Sequence, residues 1–227
     1  MKNFILPSNI ALPEVMAFFS TKTASDISIE KLLLEELCIE ADIYIPIQKH
    51  TDKVHVLKSG MERVIADAVI TSRKNVLIGI KVADCVPILL CDKKIGVIGA
   101  VHAGWRGTAS GILKRSIETM QREFNSLPEN IMAAIGPSIK GCSYEVDDNV
   151  MKAVRSASGD GGYIKEAGEK YFIDLAHANR LQAVSSGVPE QNIWLSDECT
   201  FCNAEKFHSY RHSGENAGRQ GGFIMMW

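Results

Sequence analysis

Residues 87–124, PILLCDKKIGVIGAVHAGWRGTASGILKRSIETMQREF, contain the pattern that decides the fold. Two apolar runs, PILLCD and IGVIGAVH, are joined through the polar turn DKK and predict a pair of buried strands. The segment TASGILKRSIETMQREF then carries apolar residues at helical spacing, so a helix is predicted after the second strand. Thr108 is placed to cap this helix.

Segments on either side of this stretch extend the pattern. We predict strands at ADAVIT, NVLIGIKVAD, NIMAAIGPSI, NIWLSD and GGFIMMW, and an edge or terminal strand at DIYIPIQ because of Pro46. Helices are predicted at SIEKLLLEELC and at DLAHANRLQAVSSG, with Asp174 as N-cap and Gly187 after the C-terminal end. Strands cluster between residues 64 and 102 and no linker stands out. The sequence therefore predicts one α+β domain over residues 1–227.

Composition excludes several classes of protein. The chain has 227 residues, 46% of them hydrophobic and 23% charged, with a net charge of −2. We therefore expect no nucleic-acid partner and no membrane partner, since neither a basic surface nor an apolar run of about 18 residues is present. We predict a cytoplasmic protein. In a reducing compartment its six cysteines are expected to be buried, reactive or metal-bound rather than paired.

Three metal-ligating side chains lie where predicted strands meet irregular segments. They are His50 in IQKHTDKV, Cys85 in VADCVPILL and His102 in the quoted stretch. Two imidazoles and one thiolate suit Zn²⁺ or copper, and three ligands leave a fourth position open for catalysis. A bound metal would lower the pKa of a water to about 7. The alternative is that Cys85 packs as a small hydrophobic residue and both histidines bond only to loops.

Basic residues near these ligands suit an anion. The N-terminus of the helix after His102 presents free N–H groups, and Arg106 beside it is able to grip a phosphate at two points. Arg211 and Arg219 are further candidates, and Trp105 is able to stack on a flat ring. Ordinary surface ion pairs and core packing remain alternatives for all of them.

Two rival sites use other arrangements of cysteine and histidine. The segment CTFCNAEKFHSYRH, from Cys199 to His212, resembles a zinc-finger spacing, but its central gap of five residues is too short. Cys199 and Cys202 are expected instead to pack under a strand or line a pocket. A cysteine hydrolase would use Cys85 with His102 as base and Asp84 or Asp67 as orienting acid. Bound metal would exclude it, because a coordinated thiolate is no free nucleophile.

Five blocks of sequence resemble one known family. ADAVIT, ADCVPILLCD, GAVHAGWRGTASGIL, AAIGPSIKGCSYEV and CTFCNAEKFHSYRHSGENAGRQGGFIMM are similar to successive blocks of the YfiH-type family, also called the laccase-domain or multicopper polyphenol oxidase family. The resemblance implies an α+β sandwich of mixed sheets with flanking helices. It also implies that His50, Cys85 and His102 are the metal ligands.

The same resemblance implies a function. It points to a zinc enzyme, with copper as the other candidate ion, that acts on purine nucleosides and phosphate. The implied reactions are phosphorolysis of adenosine, inosine, guanosine and methylthioadenosine, and deamination of adenosine. Phenol oxidation ranks low because one Cys-His₂ site lacks the further coppers that reduce dioxygen. A non-catalytic zinc module remains an alternative, and a homo-oligomer is compatible with the sequence.

Two positions depart from the family pattern. In FFSTKTASDIS, Lys22 stands where the family commonly has arginine, and the glycines that usually follow are missing. Lys22 is a candidate phosphate ligand that keeps the charge without the bidentate grip. His212 stands where many members have a second arginine after Arg211. Both departures bear on substrate preference more than on the metal.

Overall fold

The computed structural model describes residues 4–22, 40–168 and 170–227. Strands predominate up to residue 103 of the described chain, and helices and strands are interspersed after it. The strands are β1 (Phe4–Ile5), β2 (Val15–Ser20), β3 (Asp42–Tyr44), β4 (Val54–Val56), β5 (Ala68–Thr71), β6 (Val76–Val82), β7 (Val86–Asp92), β8 (Val97–Ala103), β9 (Ile131–Ile135), β10 (Glu145–Val146), β11 (Ile164–Ala167), β12 (Lys170–Ile173), β13 (Ile193–Leu195) and β14 (Gln220–Met226). The α-helices are α1 (Trp105–Ala109), α2 (Ile112–Phe124), α3 (Asp148–Ser158), α4 (Leu175–Ser185) and α5 (Tyr210–Ser213). Short 3₁₀ turns cover Ser8–Ile10, Pro128–Asn130, Glu190–Asn192 and Gly214–Asn216.

The β7–β8 hairpin lies at the centre of the fold, as the quoted stretch predicts. The two strands pair antiparallel from Val86 opposite Ala103 to Asp92 opposite Val97. Both faces of β7 are buried. Ile88 belongs to the core under the helices, whereas Leu89 belongs to the core between two sheets. This double burial explains why the run is continuously apolar rather than alternating.

Two mixed sheets pack face to face in a sandwich. One has the order β13-β9-β7-β8-β5-β4 and the other the order β1-β2-β14-β6-β3. Each combines parallel and antiparallel pairs; for example, β3 runs parallel to β6, whereas β14 runs antiparallel to it. Helices α2, α3 and α4 cover the outer face of the first sheet, beside a small sheet of order β10-β12-β11. The predicted α+β sandwich with flanking helices is confirmed.

The helix after β8 differs from its prediction. It is broken into α1 and α2, because Gly111 adopts a left-handed conformation with φ of 70°. Thr108 is therefore not an N-cap. It lies buried within α1, where its side-chain oxygen accepts a hydrogen bond from Asn179 and its carbonyl accepts one from Gln182. Because α1 has only five residues, its dipole offers an anion less than the predicted long helix would.

The remaining predictions have mixed outcomes. Each predicted strand segment contains a strand, and β3, which precedes Pro46, is an edge strand. The Asp174 side chain accepts a hydrogen bond from the backbone N–H of His177 and caps α4, as predicted. The predicted helix SIEKLLLEELC lies outside the described residues. The single-domain assignment over residues 1–227 stays a prediction. Within the described segments, no helix combines the length and apolarity needed to cross a bilayer.

Candidate active site

The three predicted ligands converge at one edge of the central hairpin. Cys85 precedes β7 and His102 lies near the end of β8, so the antiparallel pairing makes them neighbours. The ligand atoms of His50, Cys85 and His102 all lie within 4.8 Å of one another, and Cys85 Sγ is 3.8 Å from His50 Nε2. Sulfur and nitrogen ligands around tetrahedral zinc stand about 3.5 Å apart, given bond lengths of about 2.3 and 2.0 Å. The donor set therefore fits such an ion.

Asp67 holds the loop that carries His50. This fully buried carboxylate accepts hydrogen bonds from the backbone N–H groups of Lys49, His50 and Thr51 at 3.2, 3.0 and 2.6 Å, and from the Thr51 hydroxyl at 2.7 Å. These bonds stabilise His50 in a left-handed conformation with φ of 57°, which is uncommon for a residue with a side chain. The loop geometry at His50 is thus set by a residue 17 positions away in sequence.

Asp67 also orients His102. The Nδ1 of His102 lies 2.8 Å from Asp67 Oδ1, and the backbone N–H of His102 donates to the Asp67 carbonyl at 2.7 Å. With Nδ1 held by the carboxylate, Nε2 is left to serve as the ligand atom, an arrangement that metal-binding histidines commonly have.

Gly104 makes room for the donor atoms. A Cβ at this position would lie 2.9 Å from Cys85 Sγ and 3.1 Å from His50 Cδ2. Any larger residue would push these side chains away. The small residues after His102 in the quoted stretch are therefore explained here by a close approach of backbone to the ligands.

The site is strongly polarised in the metal-free protein. Burial alone would raise the pKa of the Cys85 thiol, but hydrogen bonds and positive charge from His102 and His50 lower it to about 6. Burial likewise disfavours a charged His102, yet hydrogen bonds with Asp67 and Cys85 raise its pKa to about 9. Hydrogen bonds from His102 and Thr51 hold the pKa of Asp67 well below its usual range despite burial. The cysteine is thus a thiolate at neutral pH, as a metal ligand must be.

A cavity of about 670 Å³ opens in front of the three ligands. Aromatic and basic side chains share its wall with the three ligands, which gives the cavity both flat stacking surfaces and positive charge. The lining consists of Gln48, His50, Lys81, Val82, Ala83, Asp84, Cys85, His102, Trp105, Arg106, Ile139, Tyr144, Leu175, Tyr210, Arg211 and Arg219.

Asp84 anchors the part of the cavity wall that carries Arg211. Its carboxylate accepts hydrogen bonds from the Thr200 hydroxyl at 2.6 Å, the Ser209 hydroxyl at 3.0 Å and the Arg211 backbone N–H at 2.7 Å. Like His50, Asp84 has a positive φ, here 81°. The Asp84 carboxylate is bound by these three donors, whereas the Asp67 carboxylate contacts His102. Asp67, and not Asp84, is therefore the acid that orients His102.

Of the three predicted phosphate ligands, Arg106 and Arg211 lie together in the cavity and Lys22 does not. Arg106 and Arg211 both line the cavity; each guanidinium lies over an aromatic ring, of Trp105 at 4.5 Å and of Tyr144 at 5.2 Å respectively. Arg211 also donates to the Glu145 carbonyl. Lys22 lies away from this wall, where its Nζ donates to the Ala204 carbonyl at 3.3 Å.

The rival zinc-finger arrangement does not form. Cys199 and Cys202 lie instead with Cys142, and the three sulfur atoms are within 4.8 Å of one another. His212 Nδ1 is 3.2 Å from the Ser213 hydroxyl, and the His208 ring lies against Gly218. The expectation that the two cysteines simply pack or line a pocket overlooked Cys142, which the sequence offered only as the cysteine of GPSIKGC.

Sequence reasoning also missed the anchoring residues. Asp67 and Asp84 entered only as orienting acids for a hydrolase, although each fixes one side of the cavity through backbone and side-chain donors. Tyr144 and Gln48 were not singled out. The available signal was the position of both aspartates at strand ends, in ADAVIT and VADC, where Asp84 directly precedes Cys85.

Comparison with known proteins finds matches to one protein family. The family described as multi-copper polyphenol oxidoreductase laccase matches residues 27–227. The chain belongs to this laccase-domain family. Its YfiH-type resemblance is thereby confirmed, since proteins named YfiH and YlmD are among the matches.

Relatives within the laccase-domain family carry two activity names. A purine nucleoside phosphorylase of Bacteroides thetaiotaomicron is 36% identical over 204 residues, 84% of this chain and 76% of the relative. Adenosine deaminase RL5, from an unknown prokaryotic organism, is 37% identical over 193 residues, 78% of this chain and 72% of the relative. The crystal structure of YlmD from Geobacillus stearothermophilus has a TM-score of 0.90 at 28% identity and covers 99% of this chain and 96% of that one.

Proposed function

We propose that this chain is a zinc-dependent purine nucleoside phosphorylase that also deaminates adenosine. The observation that carries the proposal is the placement of three metal-ligating side chains on the wall of a cavity that also presents Arg106 and Arg211. The names of the relatives support the same pair of reactions. The proposed substrates are adenosine, inosine, guanosine and S-methyl-5′-thioadenosine, with phosphate as the second substrate of phosphorolysis.

His50, Cys85 and His102 would hold the ion. When bound, zinc supplies a Lewis acid that lowers the pKa of a coordinated water to about 7. Asp67 keeps Nδ1 of His102 occupied, so that Nε2 is the atom offered to the metal. Copper is the other ion that this donor set accepts.

Arg106 and Arg211 would bind phosphate in phosphorolysis. Arg106 has no carboxylate partner among the described residues, so its guanidinium is available to an anion. Together they would hold a phosphate oxygen toward C1′ of the ribose, where the new C–O bond forms as the bond to the base nitrogen breaks. The fork of each guanidinium fits a phosphate at two points.

The aromatic wall would bind the nucleoside in both reactions. Trp105, Tyr144 and Tyr210 line the same cavity and offer flat surfaces to a purine. In deamination, water adds to the purine carbon that carries the amino group, and ammonia leaves. This reaction needs no phosphate, so the two arginines are dispensable for it.

A cysteine hydrolase is the second candidate, and one observation favours it. Asp67, His102 and Cys85 form a connected set in which an acid orients a histidine beside a thiol of low pKa. Such a set is able to act as a nucleophilic triad if no metal occupies it. Selective alkylation of Cys85 in freshly purified protein, with no bound metal and no nucleoside turnover, would support this candidate.

Chromatography of adenosine incubated with and without phosphate tests the leading proposal. We expect adenine only with phosphate and inosine without it, together with about one zinc ion bound at this site. His50→Ala should abolish both products. The matched control is His177→Ala, which removes an exposed histidine of α4 and should leave both products unchanged. Full activity of the His50→Ala protein would contradict the proposal.

A further inference from the structure

Three cysteines outside the cavity form a second cluster. Cys142 Sγ lies 3.6 Å from Cys199 Sγ and 3.5 Å from Cys202 Sγ, and the third pair lies within 4.8 Å. Cys142 and Cys199 are 57 residues apart in sequence, so the fold and not a local motif brings them together. We call this group the cysteine cluster.

The spacing of these sulfur atoms fits a metal ion. Tetrahedral Zn–S bonds of about 2.3 Å place neighbouring sulfurs about 3.8 Å apart. The separations of Cys142 Sγ from Cys199 Sγ and from Cys202 Sγ are a few tenths of an ångström shorter than this value. Soft thiolate sulfur favours Zn²⁺ and Cu⁺ over hard cations such as Mg²⁺ and Ca²⁺. Because Cys142 and Cys202 are exposed, an ion is able to reach the cluster from solvent.

Neighbouring polar groups also suit a negatively charged cluster. The Ser143 hydroxyl donates to Cys142 Sγ at 3.4 Å and lies 3.2 Å from Cys202 Sγ. Lys140 is 8% exposed, and its Nζ has no hydrogen-bond partner among the described residues. It interacts electrostatically with Asp174, Asp197 and the thiols of Cys199 and Cys142. A buried ammonium is costly unless negative charge compensates it, and three metal-bound thiolates carry a net negative charge.

The cluster joins two segments that each contribute to the cavity wall. Cys142 is two residues before Tyr144, whereas Cys199 and Cys202 precede Arg211. Ser138 and Cys199 form a parallel bridge, and the Thr200 N–H donates to the Ser138 carbonyl. The guanidinium of Arg211 in turn lies over the Tyr144 ring. An ion held by all three sulfurs would therefore fix the two segments relative to each other.

We propose that Cys142, Cys199 and Cys202 bind a second, structural Zn²⁺ ion that clamps these two segments of the cavity wall. The fourth position is left to water or to the Ser143 hydroxyl. This site is separate from His50, Cys85 and His102, and it does not depend on the proposed nucleoside chemistry.

Zinc content of matched variants tests this proposal. Each protein is equilibrated with Zn²⁺ under a phosphine reductant, desalted and measured by elemental mass spectrometry. We expect about two zinc ions per chain in the parent, and about one in both His50→Ala/Cys85→Ser and Cys142→Ser/Cys202→Ser. The control Cys91→Ala removes a buried cysteine outside both groups and should retain both ions.

A Co²⁺ experiment identifies the ligands. In the His50→Ala/Cys85→Ser protein, Co²⁺ should give the near-ultraviolet charge-transfer band of thiolate ligation, and Zn²⁺ should displace it. Zn²⁺ should also raise the Tm of this variant, but not when Cys142 and Cys202 are changed as well. Absence of zinc from the His50→Ala/Cys85→Ser protein would overturn the proposal. A disulfide within the cluster in the non-reduced parent, seen as a mass lower by two hydrogens, would do the same.

Discussion

The two thiol-containing groups of this molecule are held in different ways. Cys85 and His102 lie at strand ends, and His50 lies in a loop that hydrogen bonds to the buried Asp67 carboxylate stabilise. All three residues line a large cavity. The cysteine cluster lies in two loops, and two of its three cysteines are exposed. The buried Lys140 is close to it in sequence. Mixed nitrogen and sulfur ligands that face a cavity suit catalysis, whereas an all-sulfur group between loops suits structure.

Removal of the Asp67 carboxylate, which positions His50 and His102, should have the largest effect of the changes considered. Asp67→Ala removes four hydrogen bonds to the His50 loop and the partner of His102. We expect a loss of about 3–5 kcal/mol in the free energy of unfolding and a fall in metal affinity of about 100-fold. Zinc titration and denaturant unfolding measure the two effects.

Asp92→Ala is the matched control for this change. Asp92 is also fully buried, but among the described residues its carboxylate accepts hydrogen bonds only from the Lys94 and Ile95 N–H groups in the hairpin turn. It should lower stability without changing zinc affinity at the cavity site. Equal zinc affinity in the Asp67→Ala and parent proteins would show that Asp67 does not organise the ligands.

The two groups should also differ in how their thiols ionise. In chelator-treated protein, His102 and His50 lower the pKa of Cys85 to about 6, whereas burial raises the pKa of Cys142. The thiolate is the reactive form, so alkylation of Cys85 should rise as pH passes about 6. Alkylation of Cys142 should rise only at a higher pH than that of Cys85, although Cys142 is more exposed.

Short pulses of iodoacetamide between pH 5 and 10, followed by peptide mass spectrometry, measure both profiles. Adding Zn²⁺ before the pulse should protect Cys85 at every pH. If the pH midpoints of alkylation coincided for Cys85 and Cys142, the histidines would not lower the pKa of Cys85 as described.

Gly104 tests the close approach that the first group requires. Gly104→Ala adds a Cβ 2.9 Å from Cys85 Sγ, while its φ of −73° suits alanine without backbone strain. The expected result is about a tenfold loss of zinc affinity with little change in Tm. Gly162→Ala is the control, because a Cβ there meets nothing within 4 Å. Unchanged affinity in Gly104→Ala would mean that the ligands shift without cost.

Local patterns in the sequence predicted the centre of the fold and the first group. The run PILLCD is apolar because both faces of β7 are buried, and ligands at the ends of paired strands meet by necessity. The break at Gly111 was not predicted, because the apolar spacing continues across it while tertiary bonds from Asn179 and Gln182 bury Thr108. Local spacing contains no information on such contacts.

Non-local contacts were the main omission. The insertion of β14 between β2 and β6 joins segments more than a hundred residues apart, and no periodicity specifies it. The same applies to Cys142, because its partners Cys199 and Cys202 were expected only to pack under a strand or line a pocket. The anchoring roles of Asp67 and Asp84 were not predicted either, because they depend on hydrogen-bond donors from segments that only the fold brings close.

A change at Asp84 should have the smallest effect on zinc binding, and its effect should be confined to the wall that carries Arg211. Asp84→Asn keeps the shape and tolerates the φ of 81°, but it replaces one acceptor oxygen among donors from Thr200, Ser209 and Arg211. We expect a loss of about 1–3 kcal/mol in stability and a several-fold rise in KM for phosphate, because Arg211 moves. Zinc content should not change, since all six ligands are retained. The control is Asp147→Asn at the N-cap of α3, where asparagine caps equally well. An altered zinc content with an unchanged KM would show that Asp84 supports the metal groups rather than the wall that carries Arg211.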